Sequence, residues 1–509
     1  MGKGVSKSSR VAGKTVVIGA GPGGLSTAYE LSRCGMACEV LEKDTQPGGI
    51  ARTESYKGYL FDLGGHRFFT KISVVQKMWE EILGDDFILR PRMSRIFFGS
   101  QFFNYPLSPW DALSKLGPIE AARCLASYLV AQVKPIRPER SFADWVSNRF
   151  GRRLFSMFFR TYTEKVWGMP CEEIGAEWAS QRIKGLNLGT VIKNAFLPAR
   201  KATSSGKVIK TLIDEFLYPR RGPGMMWERC ADIVEERGAK IHYRSEVQKI
   251  IWEPGRIVGV VADGRLHQGD HFVSTMPIRE LLQSLDPAPP ADVLAAAKDF
   301  NYRDFLIVAL ILKRPDPFPD NWIYIHEPNV KVGRIQNFRS WSPEMVPDPN
   351  TSCLGMEYFC FDGDGLWNMS DKDLIQLATE ELAKIGLAGA ESVVDGRVTR
   401  VPKAYPVYDS TYKQGLEKLR GFLSMVPNLQ LIGRNGMHQY NNQDHSVLTG
   451  LLAARNIMGG NYDLWAVNAG DEYHESGTEI TEEELRAFEK TQPKVPVKLG
   501  IRAGQTAEV

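Results

Sequence analysis

Residues Thr15 to Thr70 constrain the fold of this chain more than any other stretch. They open TVVIGAGPGGLSTAYELSRCGMACEVLEKD and continue, past Thr45, as QPGGIARTESYKGYLFDLGGHRFFT. Thr15–Ile18 is a short apolar, β-branched run, which predicts a buried parallel strand. Gly19, Gly21 and Gly24 then form a G-x-G-x-x-G pattern, Ser26 to Arg33 are predicted as a helix, and Ala37 to Leu41 as the next strand, ending in Glu42. In such a unit the glycines permit a tight turn, close approach of backbone to a pyrophosphate, and close helix–strand packing. The helix start offers free N–H groups and the positive end of its dipole to the same pyrophosphate. Glu42 lies 18 residues beyond Gly24, where a ribose-binding acid belongs. A dinucleotide site is the expectation.

At 509 residues the chain is too long for one ordinary core, so two or three domains are expected. A net charge of +3 is too small at this size to argue for nucleic acid or an anionic membrane as partner. The seven cysteines are odd in number and scattered, and no pair has zinc-ligand spacing; a reduced, cytoplasmic setting and no metal are expected. No apolar run reaches the roughly 18 residues that a membrane span needs; Phe305–Leu312 (FLIVALIL) reads as a buried strand. The opening MGKGVS matches a myristoylation pattern in letters, but Lys7 to Arg10 reads as a disordered basic lead-in, and no signal peptide is expected.

Helices are expected at Val74 to Leu83, Ala112 to Leu116, Ile119 to Val133, Phe142 to Phe158, Glu228 to Arg237 and Asp444 to Met458. Phe87–Phe98 reads as extended. Strands are expected at Lys240–Tyr243, Val247–Trp252, Ile257–Ala262 and Phe272–Met276, with a last parallel strand at Leu429–Gly433. The fold class is therefore α/β: a discontinuous Rossmann-like dinucleotide-binding domain with a helical insert and a mixed-sheet substrate domain. The expected boundaries are a disordered lead over 1–12, a nucleotide-binding domain over 13–100, 205–280 and 425–470, an insert over 101–204, a substrate sheet over 281–424 and a C-terminal tail over 475–509, loose over Gln492–Val509.

The segments Gly48-Gly49-Ile50-Ala51-Arg52 and Phe61-Asp62-Leu63-Gly64-Gly65-His66 resemble the G-G-x-x-R-T and D-x-G-x-H segments of the FAD family that includes amine oxidases, protoporphyrinogen oxidases and UDP-galactopyranose mutases. The resemblance implies FAD as cofactor. Gly49 and Arg52 would lie along its phosphates, Val247 near the adenine, and Gly64, Gly65 and His66 near the isoalloxazine. Gly433-Arg434 and Asn442-Gln443-Asp444-His445-Ser446 resemble the family's G-R-x-G and N-Q-D-H-S segments, which hold the flavin; Asp444 is also the expected N-cap of the last helix.

Within that family, the chain is similar to eukaryotic-type UDP-galactopyranose mutases in landmarks spread over Thr15 to Met458. The run Lys165-Val166-Trp167, then Trp178 to Arg182, then Asn187-Leu188 is similar to the segment that implies Trp167 beside the sugar, Arg182 on the diphosphate and Asn187 among the substrate contacts. Trp322-Ile323-Tyr324 resembles a strand whose two rings face one side, either as a nucleoside wall or as core. Arg334 would be a second diphosphate arginine. Tyr405 and Tyr440 would be diphosphate phenols, although counting back from Asn442 puts His438 in the place of Tyr440. A guanidinium is a bidentate partner for phosphate oxygens, and a phenol donates without adding charge.

The implied activity is a redox-neutral pyranose/furanose mutase acting on a nucleotide sugar through reduced flavin N5, with NAD(P)H as a candidate reductant. Ser108 stands where the mutases carry a uracil-binding glutamine, which opens the sugar to GDP or dTDP carriers. The alternative is an FAD oxidase, dehydrogenase or desaturase, which would share the whole flavin half and would not need converging arginines.

Overall fold

The computed structural model describes residues 13–105, 107, 109–176, 215–408, 412–468, 481 and 483–489. Arg182, Asn187, Trp178 and Ser108 fall outside these residues.

Thr15–Ile18 becomes the middle strand of a five-stranded parallel sheet in the order Leu429–Leu431, His271–Ser274, Thr15–Ile18, Cys38–Leu41, Lys240–His242. All four residues of Thr15–Ile18 are buried, as its apolar, β-branched composition requires of a strand covered on both faces. Helix Pro22–Arg33 lies over it, and helix Gln443–Ile457 packs on that helix so closely that a Cβ on Gly450 would fall 2.2 Å from the Gly23 carbonyl oxygen. A hydrogen bond from Thr27 Oγ1 to Gly450 O, at 3.1 Å, uses the same close approach. Beside this sheet lies a four-stranded one, ordered Arg265–Gln268, Arg256–Ala262, Val247–Glu253, Leu285–Asp286.

The second large sheet has seven strands, ordered Val393–Pro406, Tyr302–Leu312, Ser352–Cys360, Arg334–Asn337, Trp322–Ile325, Ser94–Phe98, Gln101–Asn104. It is antiparallel except where Trp322–Ile325 runs parallel to Ser94–Phe98. The expected strand at Phe305–Leu312 extends over Tyr302–Leu312, and every residue of it is buried. Its side chains alternate between two cores. Leu306, Val308, Leu310 and Leu312 meet helix Asp371–Ile385 through Leu374, Ala378 and Leu382, while Phe305, Ile307 and Ala309 pack with Phe61 and Trp341. The fold is thus the expected α/β arrangement.

Two predicted elements are divided. The extended run from Phe87 splits into Phe87–Pro91, which pairs with Glu215–Pro219, and Ser94–Phe98, which joins the seven-stranded sheet. The helix from Phe142 ends at Phe150, because Gly151 takes φ +83° and a Cβ there would fall 2.7 Å from Tyr128 N. It resumes as Arg152–Phe155, passes through a π-helical turn at Ser156–Arg160 and ends as Thr161–Trp167. The start of this helical run is fixed by a capping box: Asp144 N donates to Ser141 Oγ and Ser141 N donates to Asp144 Oδ2, both at 3.1 Å.

Candidate functional site

The first half of the site is a cradle made of backbone. Gly19 takes φ +98°, and a Cβ on it would fall 2.0 Å from Thr275 Oγ1. A Cβ on Gly24 would fall 1.9 Å from the Gly19 carbonyl oxygen, and a Cβ on Gly49 would sit 3.4 Å from Gly21 Cα. Helix Pro22–Arg33 has no side-chain cap, so its first-turn N–H groups are left for an anionic ligand. Glu42 is buried at the end of its strand. Its Oε2 accepts from Ala20 N at 2.6 Å and its Oε1 from Asp44 N at 2.9 Å. Burial raises its pKa, against the pull of those two N–H groups. Ser245 N donates to Glu42 O at 2.7 Å and so brings the start of Val247–Glu253 alongside. Arg52 follows the Gly48–Gly49 turn, bonding Gly49 O at 3.2 Å and pairing with Asp44 and Glu54.

The other side of the cradle comes from the C-terminal region. Gly433 takes φ +76°; its N–H donates to Thr449 Oγ1 and its carbonyl accepts from Asn441 Nδ2, both at 3.1 Å. Gln443, Asp444 and Ser446 occupy the first turn of helix Gln443–Ile457. The N-cap is Asn442, not Asp444: Asn442 has extended backbone, and its N–H donates to His445 Nδ1 at 3.2 Å. Asp444 is instead buried one step inside the helix, where burial pushes its carboxyl up to about 7. The glycine cradle and the open helix start fit a dinucleotide flavin.

The second half is a recess beside the cradle. Its residues are partly accessible although protein surrounds them: His66, Arg67, Arg334, Tyr324, Tyr405, Arg434, Tyr440 and Tyr162 are all half-buried. Arg334 lies on the Gly64–Gly65 turn, its Nη1 3.5 Å from where a Gly65 Cβ would be. Its Nε and Nη2 each reach Glu357 Oε2 at 2.6 Å, and Glu357 also accepts from Gln336. Register places the pair directly opposite one another on neighbouring strands. Burial opposes the charge on Arg334, but Glu357 and the surrounding phenols hold its pKa well above the usual range. Burial in turn raises Glu357, against Arg334 and Gln336.

Arg434 donates to Asn441 O and Ala404 O, both at 2.9 Å, and stands 5.3 Å and 5.0 Å from the ring centres of Tyr405 and Tyr440. Those two phenols are stacked, with centroids 5.6 Å apart, and Trp167 stands 6.3 Å from Tyr440. Burial, followed by Arg434 and Arg334, lowers His66 to about 3, so its imidazole is neutral. Its Nδ1 is buried without a hydrogen-bond partner. Trp322 and Tyr324 do face one side of their strand, with ring centres 6.3 Å apart. Trp322 is buried and stacked on Trp341, whereas Tyr324 turns toward Tyr105 and Tyr162.

Several groups here were not singled out from the sequence. Tyr162 stacks on His326 at 5.0 Å and neighbours Arg334, Glu357 and Tyr405. Arg67 is lowered to about 10, first by burial and then by Arg92, with Tyr324 and Tyr105 also close. Arg92 lies 5.8 Å from the Trp322 ring centre. One signal was readable: Glu357 is a lone carboxylate in the apolar run Ser352–Cys360, and a buried charge needs a partner. Lys165, in the K-V-W landmark, donates to three carbonyls, Ile325 O, Glu327 O and Val332 O, which ties helix Thr161–Trp167 to the sheet.

A model of the flavin containing amine oxidoreductase family matches residues 22–458. Among solved structures, a reduced UDP-galactopyranose mutase superposes with TM-score 0.77 at 22% identity, covering 90% of this chain and 98% of that one. A redesigned putrescine oxidase superposes with TM-score 0.59 at 15% identity, covering 88% and 99%. These likenesses are of fold. A zeta-carotene-forming phytoene desaturase from Myxococcus xanthus is 24% identical over 274 residues, 49% of this chain and 50% of the desaturase. The chain spans about half or less of the length of the curated relatives it matches.

Proposed function

Because this chain belongs to the flavin containing amine oxidoreductase family, we propose that it binds FAD and interconverts the pyranose and furanose forms of a nucleotide-linked sugar. The observation that supports this reading is the gathering of Arg334, Arg434, Tyr405, Tyr440 and His66 around the Gly64–Gly65 turn. A bound, reduced flavin would supply an electron-rich nitrogen able to displace a leaving group from an anomeric carbon. Around it, the chain must hold a nucleoside diphosphate that departs and must later return.

Arg334 is suited to that task. Glu357 fixes its Nε and Nη2, so the fork is set before substrate arrives and Nη1 is left toward Gly65. Tyr405 is held protonated by burial and serves as a donor, with Tyr440 stacked against it. Neutral His66 positions by hydrogen bonding without adding charge. Tyr324, Tyr105 and Tyr162 offer ring faces for the nucleoside, and Trp167 stands by Tyr440 toward the sugar. Arg182 and Asn187 are proposed to complete the diphosphate and sugar contacts. Ser108 favours a GDP- or dTDP-linked sugar over a uridine one.

One observation favours a second reading. Glu357 offsets the charge of Arg334 and the walls are aromatic, which would also suit an amine, porphyrin or isoprenoid oxidised by the flavin. Activity on UDP-galactopyranose, GDP-fucose and dTDP-fucose, with and without dithionite, separates the two. The mutase reading expects furanose product only with reduced flavin and no net consumption of reductant. If no nucleotide sugar yields a furanose while an amine or porphyrin reduces or reoxidises the flavin, the oxidoreductase reading replaces it.

A further inference from the structure

Away from the recess, three residues distant in sequence converge at the outer end of the parallel sheet. Glu39 lies on Cys38–Leu41 and His242 on the edge strand Lys240–His242. Leu41 pairs with His242, and Glu39 is two residues before Leu41, so Glu39 and His242 project on one face. His267 reaches the same point from Arg265–Gln268, the edge strand of the four-stranded sheet.

His267 Nδ1 is 3.4 Å from Glu39 Oε1 and His242 Nε2 is 3.7 Å from Glu39 Oε2. One ligand atom from each of the three lies within 4.8 Å of the others, and the two imidazole centres are 5.5 Å apart. Glu39 is 7% exposed, and His242 Nε2 is a buried atom without a hydrogen-bond partner. A carboxylate and two imidazoles thus present acceptors to one point, at spacings too long for good hydrogen bonds. Tetrahedral zinc with nitrogen and oxygen ligands at about 2.0–2.2 Å sets neighbouring ligand atoms roughly 3.3–3.5 Å apart. The cation now on Glu39 is Lys14, with Nζ 2.8 Å from Oε1; its side chain is 46% exposed and can turn out to solvent.

We propose that Glu39, His242 and His267 form a binding site for a divalent transition-metal ion, zinc by its donor set, with water completing the coordination. The ion would clamp the hairpin carrying His267 to the parallel sheet. It would also bear on the cradle, because Glu42 N donates to the His242 carbonyl at 2.8 Å. The site stands on its own geometry and does not depend on which reaction the recess performs.

The test uses the full chain as purified, stripped with EDTA, dialysed against zinc chloride and assayed for metal per chain, with cobalt(II) as a spectroscopic probe. One zinc per chain and a four-coordinate cobalt spectrum are expected. His242→Ala and His267→Ala should each weaken zinc binding at least about tenfold. Zinc should raise the unfolding midpoint of the wild type and not of the double variant. Sub-stoichiometric zinc in the wild type overturns the proposal, and so does binding that survives both substitutions. A wild-type midpoint indifferent to zinc overturns the clamp.

Discussion

The two halves of the site are built in opposite ways. The cradle is made by leaving atoms out: Gly19 and Gly24 bring backbone where a Cβ would collide, and Gly21 and Gly49 face one another across the turn. The recess is made by putting charge in: Arg334 and Glu357 sit opposite one another on neighbouring strands of a sheet flanked by two apolar cores. The first half should therefore be intolerant of addition and the second of subtraction.

The largest effect is expected from subtraction. Glu357→Ala leaves Arg334 without its buried partner and should cost about 3–5 kcal/mol in denaturant unfolding. The double change Arg334→Met with Glu357→Leu should recover most of that stability, since it removes both charges. If the double variant is as unstable as the single, the pair is not the source of the cost. The same double variant should keep its flavin absorbance and lose about 10²–10³-fold in nucleotide-sugar turnover, or about 2.7–4 kcal/mol, a loss typical of removing one pre-set donor. Loss of the yellow colour instead would place Arg334 in the cradle.

Addition comes next. Gly24→Ala forces a methyl against the Gly19 carbonyl, which should cost about 1–3 kcal/mol and lower flavin occupancy, read as absorbance per chain. A fully flavinated, wild-type-like Gly24→Ala protein would contradict the contrast between the halves.

The smallest effects are in pH dependence, where buried acids and buried histidines have opposite signs. Burial pushes Asp62 and Asp444 up to about 7 from 3.8. Between those values the folded chain holds protons that the unfolded chain has released, so these acids make stability fall as pH rises. Burial lowers His66 and His326 from 6.5 to about 3. Between those values the unfolded chain takes up protons that the folded chain does not, so these histidines make stability fall as pH falls. Each group contributes at most about 1.4 kcal/mol per pH unit. The two windows overlap, so the contributions oppose one another over the same pH values. In midpoints measured across pH 4 to 8, Asp62→Asn should tilt the profile toward rising with pH and His326→Phe toward falling, relative to wild type; a tilt in the same direction from both variants would break the assignment.

The same contrast explains what could be read from the sequence. A cradle of backbone is local, so its glycines, strand and helix stand within Thr15–Arg33; the strand has the expected bounds, and the helix ends at Arg33 as expected but starts at Pro22 rather than Ser26. The recess draws Gly65, Tyr162, Arg334, Glu357, Tyr405 and Arg434 from separate elements, and no spacing rule relates them. Arg334, Tyr405 and Tyr440 were singled out only through resemblance to a family. Tyr162 and Arg67 carried no pattern at all. Glu357 did carry one, as a carboxylate in an apolar strand, but its partner appears only once strand register is known. The break at Gly151 shows the converse error, in which apolar spacing ran on through a glycine that tertiary contact holds at positive φ.

The strand order of the parallel sheet also has a consequence for synthesis. Thr15–Ile18 leaves the ribosome long before one of its two neighbours: the strand on its other side from Cys38–Leu41 is His271–Ser274, and that strand in turn waits for Leu429–Leu431. At about 5–20 residues per second, a nascent chain carries an apolar, unpaired edge for some tens of seconds. Recombinant yield should therefore depend on translation speed and chaperone supply more than on the stability of the finished molecule.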